Sequence, residues 1–216
     1  MNLTEEYAYL NWRMRQLDRA HNYAVMADGY KLAAIRLLDS LITDNVGHDA
    51  DAVIFPVLFD AHQSLELCLK ALIIVSSEAM GTSPWQVKIC QTHALPKLIN
   101  SLNSKLPADE QKLVKNDETK ALFDLITLLE SVGRDEEGGY YVDFARYPER
   151  DPSNQYIFVK DNSLVFHLPK LRDVIESGCE FLDGFYALWE DRTDSIRALS
   201  RSSLSTESQE SPDGAC

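Results

Sequence analysis

The stretch from Val53 to Ser77, VIFPVLFDAHQSLELCLKALIIVSS, constrains this chain more than any other. Its middle, HQSLELCLKALI, is apolar on nearly every side, the pattern of a central helix covered by neighbours all round. His62, Glu66 and Lys70 interrupt it at intervals of four, and 3.6 residues per turn puts them on one slowly drifting line along the helix. A mostly buried helix that carries such groups must pair or solvate them, and ion pairs buried purely for stability gain little. A fold for this chain therefore has to wrap the segment and also give its line of charge a partner or an opening.

With 216 residues, 45% hydrophobic and 25% charged, the chain has the balance of a globular protein with one core. Residues 1–199 read as a single helical domain, and 200–216, serine-rich and poor in large apolar side chains, as a disordered tail. The longest unbroken apolar run is ALIIV at 71–75, far below the roughly 20 residues of a spanning helix, so no membrane segment is expected. MNLTEEYAYLNWR lacks the basic start and apolar block of a secretory signal, and the expected location is the cytoplasm. Cys68, Cys90, Cys179 and Cys216 form no CxxC pair, and Cys68 and Cys179 fall within apolar helical patterns, which favours buried free thiols over disulfides or zinc. The formal charge of −13 weighs against broad nonspecific binding to nucleic acid, while a local basic site remains compatible with it.

The spacing predicts a first helix over Thr4–Arg19, with Thr4 as N-cap and Glu5 and Glu6 near the positive end of its dipole. Arg13, Arg15 and Arg19 gather beside Trp12. They read either as a substrate-binding patch for phosphate with aromatic support for a base, or as a solvated helix face. A second helix is expected over 20–42, bent or broken near Gly29, and Pro56 is expected in about the first turn of the central helix. A short helix should begin near Leu95, with Thr92 or His93 at its free donors. Another should bury Ala121, Leu122, Leu125, Leu128, Leu129 and Val132 and end at Gly133. The segment 133–167 has glycine and proline punctuation, and YIFV and SLVF flank an Asp161-Asn162 turn signal, which together predict a long excursion with a small hairpin. The closing helix should run from Leu168 to about Arg197. Its seam of Leu168, Leu171, Ile175, Gly178, Leu182, Phe185 and Trp189 is widened by Phe181, Tyr186 and Leu188, a breadth that suggests cover by a second copy. LPKL occurs at 95–98 and at 168–171, each time with a histidine just upstream, and reads as shared helix-start chemistry rather than a repeat.

LELCLKALI on the central helix, THALPKL opening the next, FARYP in the excursion and a long last helix together resemble the HEPN (higher eukaryotes and prokaryotes nucleotide-binding) domain family over roughly residues 20–190. The resemblance implies an all-α fold, an up-and-down helical bundle with a long loop or small β-hairpin before the last helix. It also implies RNA or a nucleotide as ligand, a homodimer through the last helix, a protein partner such as a cognate antitoxin, and a defence or stress role. Many members are metal-independent ribonucleases with an arginine, four to six residues and a histidine near the last helix. Here His167 precedes that helix with no arginine at the right distance upstream, and the spacing occurs instead at Arg15–His21. A noncatalytic interaction or dimerisation module is the rival expectation.

Metal-free RNA cleavage needs a base for the 2'-hydroxyl proton and cations for the phosphate. The catalytic candidates are His62, His93 and Arg146, and the substrate-binding candidates are Glu66, Lys70, Arg15 and Arg19. Glu66 would orient His62 or pair with Lys70. Each also has a structural role to hand: a four-residue helix pair for Glu66 and Lys70, a core position for His62, a helix cap for His93, a loop anchor for Arg146. HExxH, GxxxxGK[ST] and GxGxxG are all missing, and no cofactor or metal is expected.

Overall fold

A computed structural model describes residues 8–10, 12–87, 92–108, 112–134, 141–147, 149–151, 154–160 and 164–207. Within them the chain is mostly helical, in the order α1 (Arg19–Thr43), α2 (Ala50–Ala79), α3 (Leu95–Lys105), α4 (Lys120–Val132), a 3-10 turn (Val142–Ala145), β1 (Glu149–Asp151), β2 (Asn154–Gln155), α5 (Ile157–Lys160) and α6 (Leu168–Glu207). The all-α class is as expected.

The central helix is where its apolar pattern puts it. From Ala61 to Ala79 every α2 side chain is buried except those of Gln63, Lys70 and Glu78, which are partly so. α1, α3 and α6 all pack on it. α1 offers Ala20, Ala27 and Ala34 at seven-residue spacing, then Leu38 and Leu41. That small-residue stripe lets the two backbones approach along their length, and the short connection 44–49 makes α1 and α2 an antiparallel hairpin. α4 closes onto α6 at Gly178, where a Cβ would meet Leu125 Cδ2 at 3.1 Å and Ala121 O at 3.3 Å. Among the described residues α2 alone is long and apolar enough to cross a membrane by length and composition, contrary to the run-length reading. Here its apolar sides face other helices, and its polar line is inside.

Several boundaries differ from expectation. Thr4, Glu5 and Glu6 lie outside the described residues, but the described part of 8–18 is irregular, and α1 begins only at Arg19. Asp18 causes this start: its side chain accepts the His21 N–H, while Leu17 before it has φ 84°, in the left-handed region. α1 runs unbroken through Gly29, because the buried alanines on either side hold it against α2. Pro56 sits inside α2 rather than in its first turn, and Ala52, whose carbonyl it leaves without a helix donor, is exposed to water like Pro56 itself. The hairpin exists but is displaced: β1 and β2 pair antiparallel, Glu149 opposite Gln155, whereas YIFV contributes the single turn α5 and the described part of SLVF is irregular. Tertiary packing overrides the strand preference there, since Phe158 stacks on Tyr156 and meets both Phe144 and Phe55 of α2. Asp161-Asn162 lies outside the described residues. α6 runs to Glu207, past the expected end at Arg197 and into the expected tail, of which 208–216 lie outside the described residues.

The aromatic seam of α6 needs no second copy. Phe185, Tyr186 and Trp189 are buried within the chain, because α1, α2 and α4 all meet α6, and only Leu188 of the widened seam is exposed. Cys68 and Cys179 are buried free thiols. Burial pushes the Cys179 thiol up to about 12, with the Ser64 hydroxyl at 3.7 Å acting against that, so it is inert at neutral pH. Cys90 and Cys216 lie outside the described residues.

Candidate functional site

Glu66 is the hub of the polar line. Its side chain is 3% exposed, yet Lys70 Nζ donates to its Oε1 at 2.6 Å, and Nδ1 of His93 lies 3.1 Å from Oε1 and 3.0 Å from Oε2. α2 brings Glu66 and Lys70 together by their four-residue spacing, and the segment leading into α3 carries His93 across to them. Lys70 is nearly buried, at 12%, and His93 is 65% exposed. One buried carboxylate thus serves a cation along its own helix and an imidazole facing water.

The hydrogen-bond direction follows from the chemistry. Beside the Lys70 ammonium, Glu66 is a carboxylate and can only accept, so Nδ1 of His93 is the atom that carries hydrogen. Nε2 is then the nitrogen left for a proton from outside. A carboxylate that fixes the tautomer and angle of an exposed imidazole is the arrangement of a general base and its positioning residue.

His62 plays a different part. It is fully buried, and its Nδ1 stands 3.8 Å from Glu66 Oε2, beyond hydrogen-bond length. Burial pulls its pKa down to about 4, against the opposing pull of the Glu66 charge, so it is neutral at physiological pH. It is a core histidine, and Glu66 reaches His93 at hydrogen-bond length where it does not reach His62. Nor does His93 cap α3: Thr92 Oγ1 accepts the Ala94 N–H at 3.1 Å, the N-cap Ala94 makes no side-chain bond, and the imidazole turns to Glu66. At the second LPKL, His167 Nδ1 does accept the Lys170 N–H, at 3.3 Å. The two starts thus share a motif and only half its chemistry.

The arginines stand apart from this cluster. Arg146 follows the 3-10 turn, pairs with Asp143 at 3.3 Å and lies over the Tyr147 ring. Pro148 of FARYP lies outside the described residues. Arg19 points inward, its Nη1 donating to Pro84 O at 2.8 Å and Val87 O at 3.1 Å, so it fastens α1 to the loop after α2. Arg15 pairs with Asp18 at 3.5 Å, and His21 Nε2 contacts Arg13 O at 3.0 Å, which makes the Arg15–His21 spacing part of the α1 start. A cleft of about 490 Å³ lies elsewhere, between the first turns of α2, the end of α4, Phe158 and the segment 164–168, and none of His62, Glu66, Lys70, His93 or Arg146 lines it. Among the described residues no group of His, Cys, Asp and Glu is arranged to hold a metal ion.

Compared with protein families, curated proteins and solved structures, the chain matches none of them.

Proposed function

We propose that this chain is a HEPN-like up-and-down bundle that acts on RNA or a nucleotide in a phage-defence, toxin-antitoxin or stress setting. His93 moves the proton of a metal-independent phosphodiester cleavage. The observation that carries this reading is the contact of both Glu66 oxygens with Nδ1 of an exposed imidazole. Two further features support it: the ordered LELCLKALI, THALPKL and FARYP motifs and the long α6 that follows them. In this reading Nε2 of His93 accepts the 2'-hydroxyl proton as the 2'-oxygen attacks phosphorus, the bond from phosphorus to the 5'-oxygen breaks, and the 5'-oxygen takes a proton from water while His93 gives its own back to solvent, leaving a 2',3'-cyclic phosphate and a 5'-hydroxyl. Glu66 is a positioning residue, and Lys70 balances its charge. Arg146 and Arg19 are engaged elsewhere, so the proposal rests on His93, Glu66 and Lys70.

Incubating the purified chain with total RNA and tRNA in EDTA tests it. Cleavage that falls by about 100-fold or more in His93→Gln, with the fold intact, is the expected result. No cleavage, together with no binding at low salt, overturns it in favour of a noncatalytic interaction module. The exposed apolar side chains at one end of the bundle favour that second reading.

A further inference from the structure

The cleft of about 490 Å³ beside the start of α2 falls within the range of about 300–1,000 Å³ that small-molecule sites occupy. Its floor belongs to the core, since Leu58 is 1% exposed and Ala50 7%. Phe55, Phe158 and Phe166 are partly buried walls, and Val165 stands at the rim, 85% exposed. The Phe55 and Phe158 rings meet at 5.4 Å, which joins the α2 wall to that of α5. Such a lining takes an apolar body, and its few polar groups decide what else the ligand must carry.

Asp51, exposed on the first turn of α2, is the one charged residue among those that line the cleft. The last turn of α4 reaches the cleft at Val132 and holds no basic residue, and Arg134 beyond it is outside the lining. The end of α4 therefore adds the negative pole of its dipole to the Asp51 charge. Two helix starts oppose them, because α2 begins at Ala50 and α6 at Leu168, both in the lining. A helix end is worth about half an elementary charge, so Asp51 together with the end of α4 outweighs both starts. The N–H groups of those starts are also largely taken. Ala50 donates to Asn45 Oδ1 at 2.9 Å, Asp51 to His48 O at 3.1 Å and Lys170 to His167 Nδ1 at 3.3 Å, while Pro169 has no N–H to give. Little is left there to hold an anion.

We propose that this cleft binds an organic cation, an aromatic or other apolar body that carries an ammonium group. The body packs against Ile54, Leu58 and the three phenylalanines, and the ammonium meets the Asp51 carboxylate at the mouth. Phenylalanine serves both parts of such a ligand, through apolar contact and through the attraction of a ring for a cation. A carboxylate or phosphate on the same body would face Asp51 with like charge, so a nucleotide is the wrong occupant. The Glu66–His93 cluster lies outside this cleft, and the inference goes beyond the proton-transfer reading without depending on it.

Three probes with one naphthyl body test this by titration calorimetry on the full chain: naphthylethylamine, naphthylethanol and naphthylacetate. The amine should bind with a Kd below about 1 mM, roughly 5-fold tighter than the alcohol, and the acetate should bind more weakly than either. Asp51→Asn should bring the amine to within about 2-fold of the alcohol and leave the alcohol unchanged. Asp117→Asn, exposed and outside the lining, should keep the preference, which separates the cleft from the general pull of a chain charge of −13. Ile54→Trp should fill the cleft and weaken all three probes, and Val165→Trp at the rim repeats that test should Ile54→Trp disturb the fold. No binding of the amine at about 5 mM overturns the proposal. An acetate that binds as well as the amine, a preference that survives Asp51→Asn or is lost in Asp117→Asn, or binding untouched by the filling variants overturns it as well.

Discussion

Replacing Glu66 by glutamine removes one charge and one acceptor from the hub of the cluster. The Glu66 side chain is 3% exposed and meets Lys70 at 2.6 Å and His93 at 3.0 Å, so both partners depend on it. A glutamine keeps one oxygen and turns an amide donor toward one of two other donors. Lys70, nearly buried, then stays charged without a counter-charge. Breaking a buried pair by removing one partner costs about 3–5 kcal/mol, and the slight opening at Lys70 puts Glu66→Gln near 3 kcal/mol. Removing both charges, in Glu66→Leu with Lys70→Met, should recover stability to within about 1 kcal/mol of the parent, because the desolvation of both ions disappears with them. His93 is largely solvated, so losing its anchor adds roughly 1 kcal/mol or less. Urea unfolding at neutral pH, followed by circular dichroism with a common m-value, reads all three proteins. A Glu66→Gln cost below about 1 kcal/mol, or a double variant no more stable than the single, would refute the reasoning.

Acid should weaken the fold through His62. Its folded pKa of about 4 lies below the ordinary 6.5, so the unfolded chain takes up a proton that the folded chain refuses. A contribution of roughly 3 kcal/mol, full above pH 6.5, is lost as the pH falls through that window. Urea midpoints should fall between those pH values, and His62→Gln should flatten that part of the profile. Glycines should respond by position: Gly184→Ala, with open space around it, should stabilise by about 0.5–1 kcal/mol, whereas Gly178→Ala should lose about 1 kcal/mol against the α4 backbone, both read by thermal melts. Phe185→Ala with Trp189→Ala should unfold the chain rather than dissociate a complex. Both side chains are core, and a single large aromatic truncation costs about 3–5 kcal/mol in circular-dichroism denaturation.

What the residues disclosed, and what they hid, follows the range of the interactions. α2 was legible because a helix covered on all sides must be apolar on all sides, and α4 because its one buried stripe repeats every three or four residues. The start of α1 carries a local signal that the helix spacing over 4–19 overlooks: Asp18 stands three residues before His21 as a helix cap does. YIFV has the composition of a strand, and the contacts of Phe158 with Phe144 and with Phe55, remote in sequence, favour the helical turn instead. The Glu66–Lys70 pair was visible as helix spacing. The Glu66–His93 contact spans 27 positions, and no periodicity reports it. Composition gives the width of the α6 seam but not how many helices of the same chain cover it, and here α1, α2 and α4 do.

The nitrogen-15 shifts of the neutral His93 imidazole test the central claim most directly, since they report which ring nitrogen holds the proton. Anchoring by Glu66 predicts Nδ1–H with a bare Nε2 in the parent chain, and a return to the Nε2–H form of free histidine in Glu66→Gln. An Nε2–H tautomer in the parent, unchanged by that substitution, would contradict it.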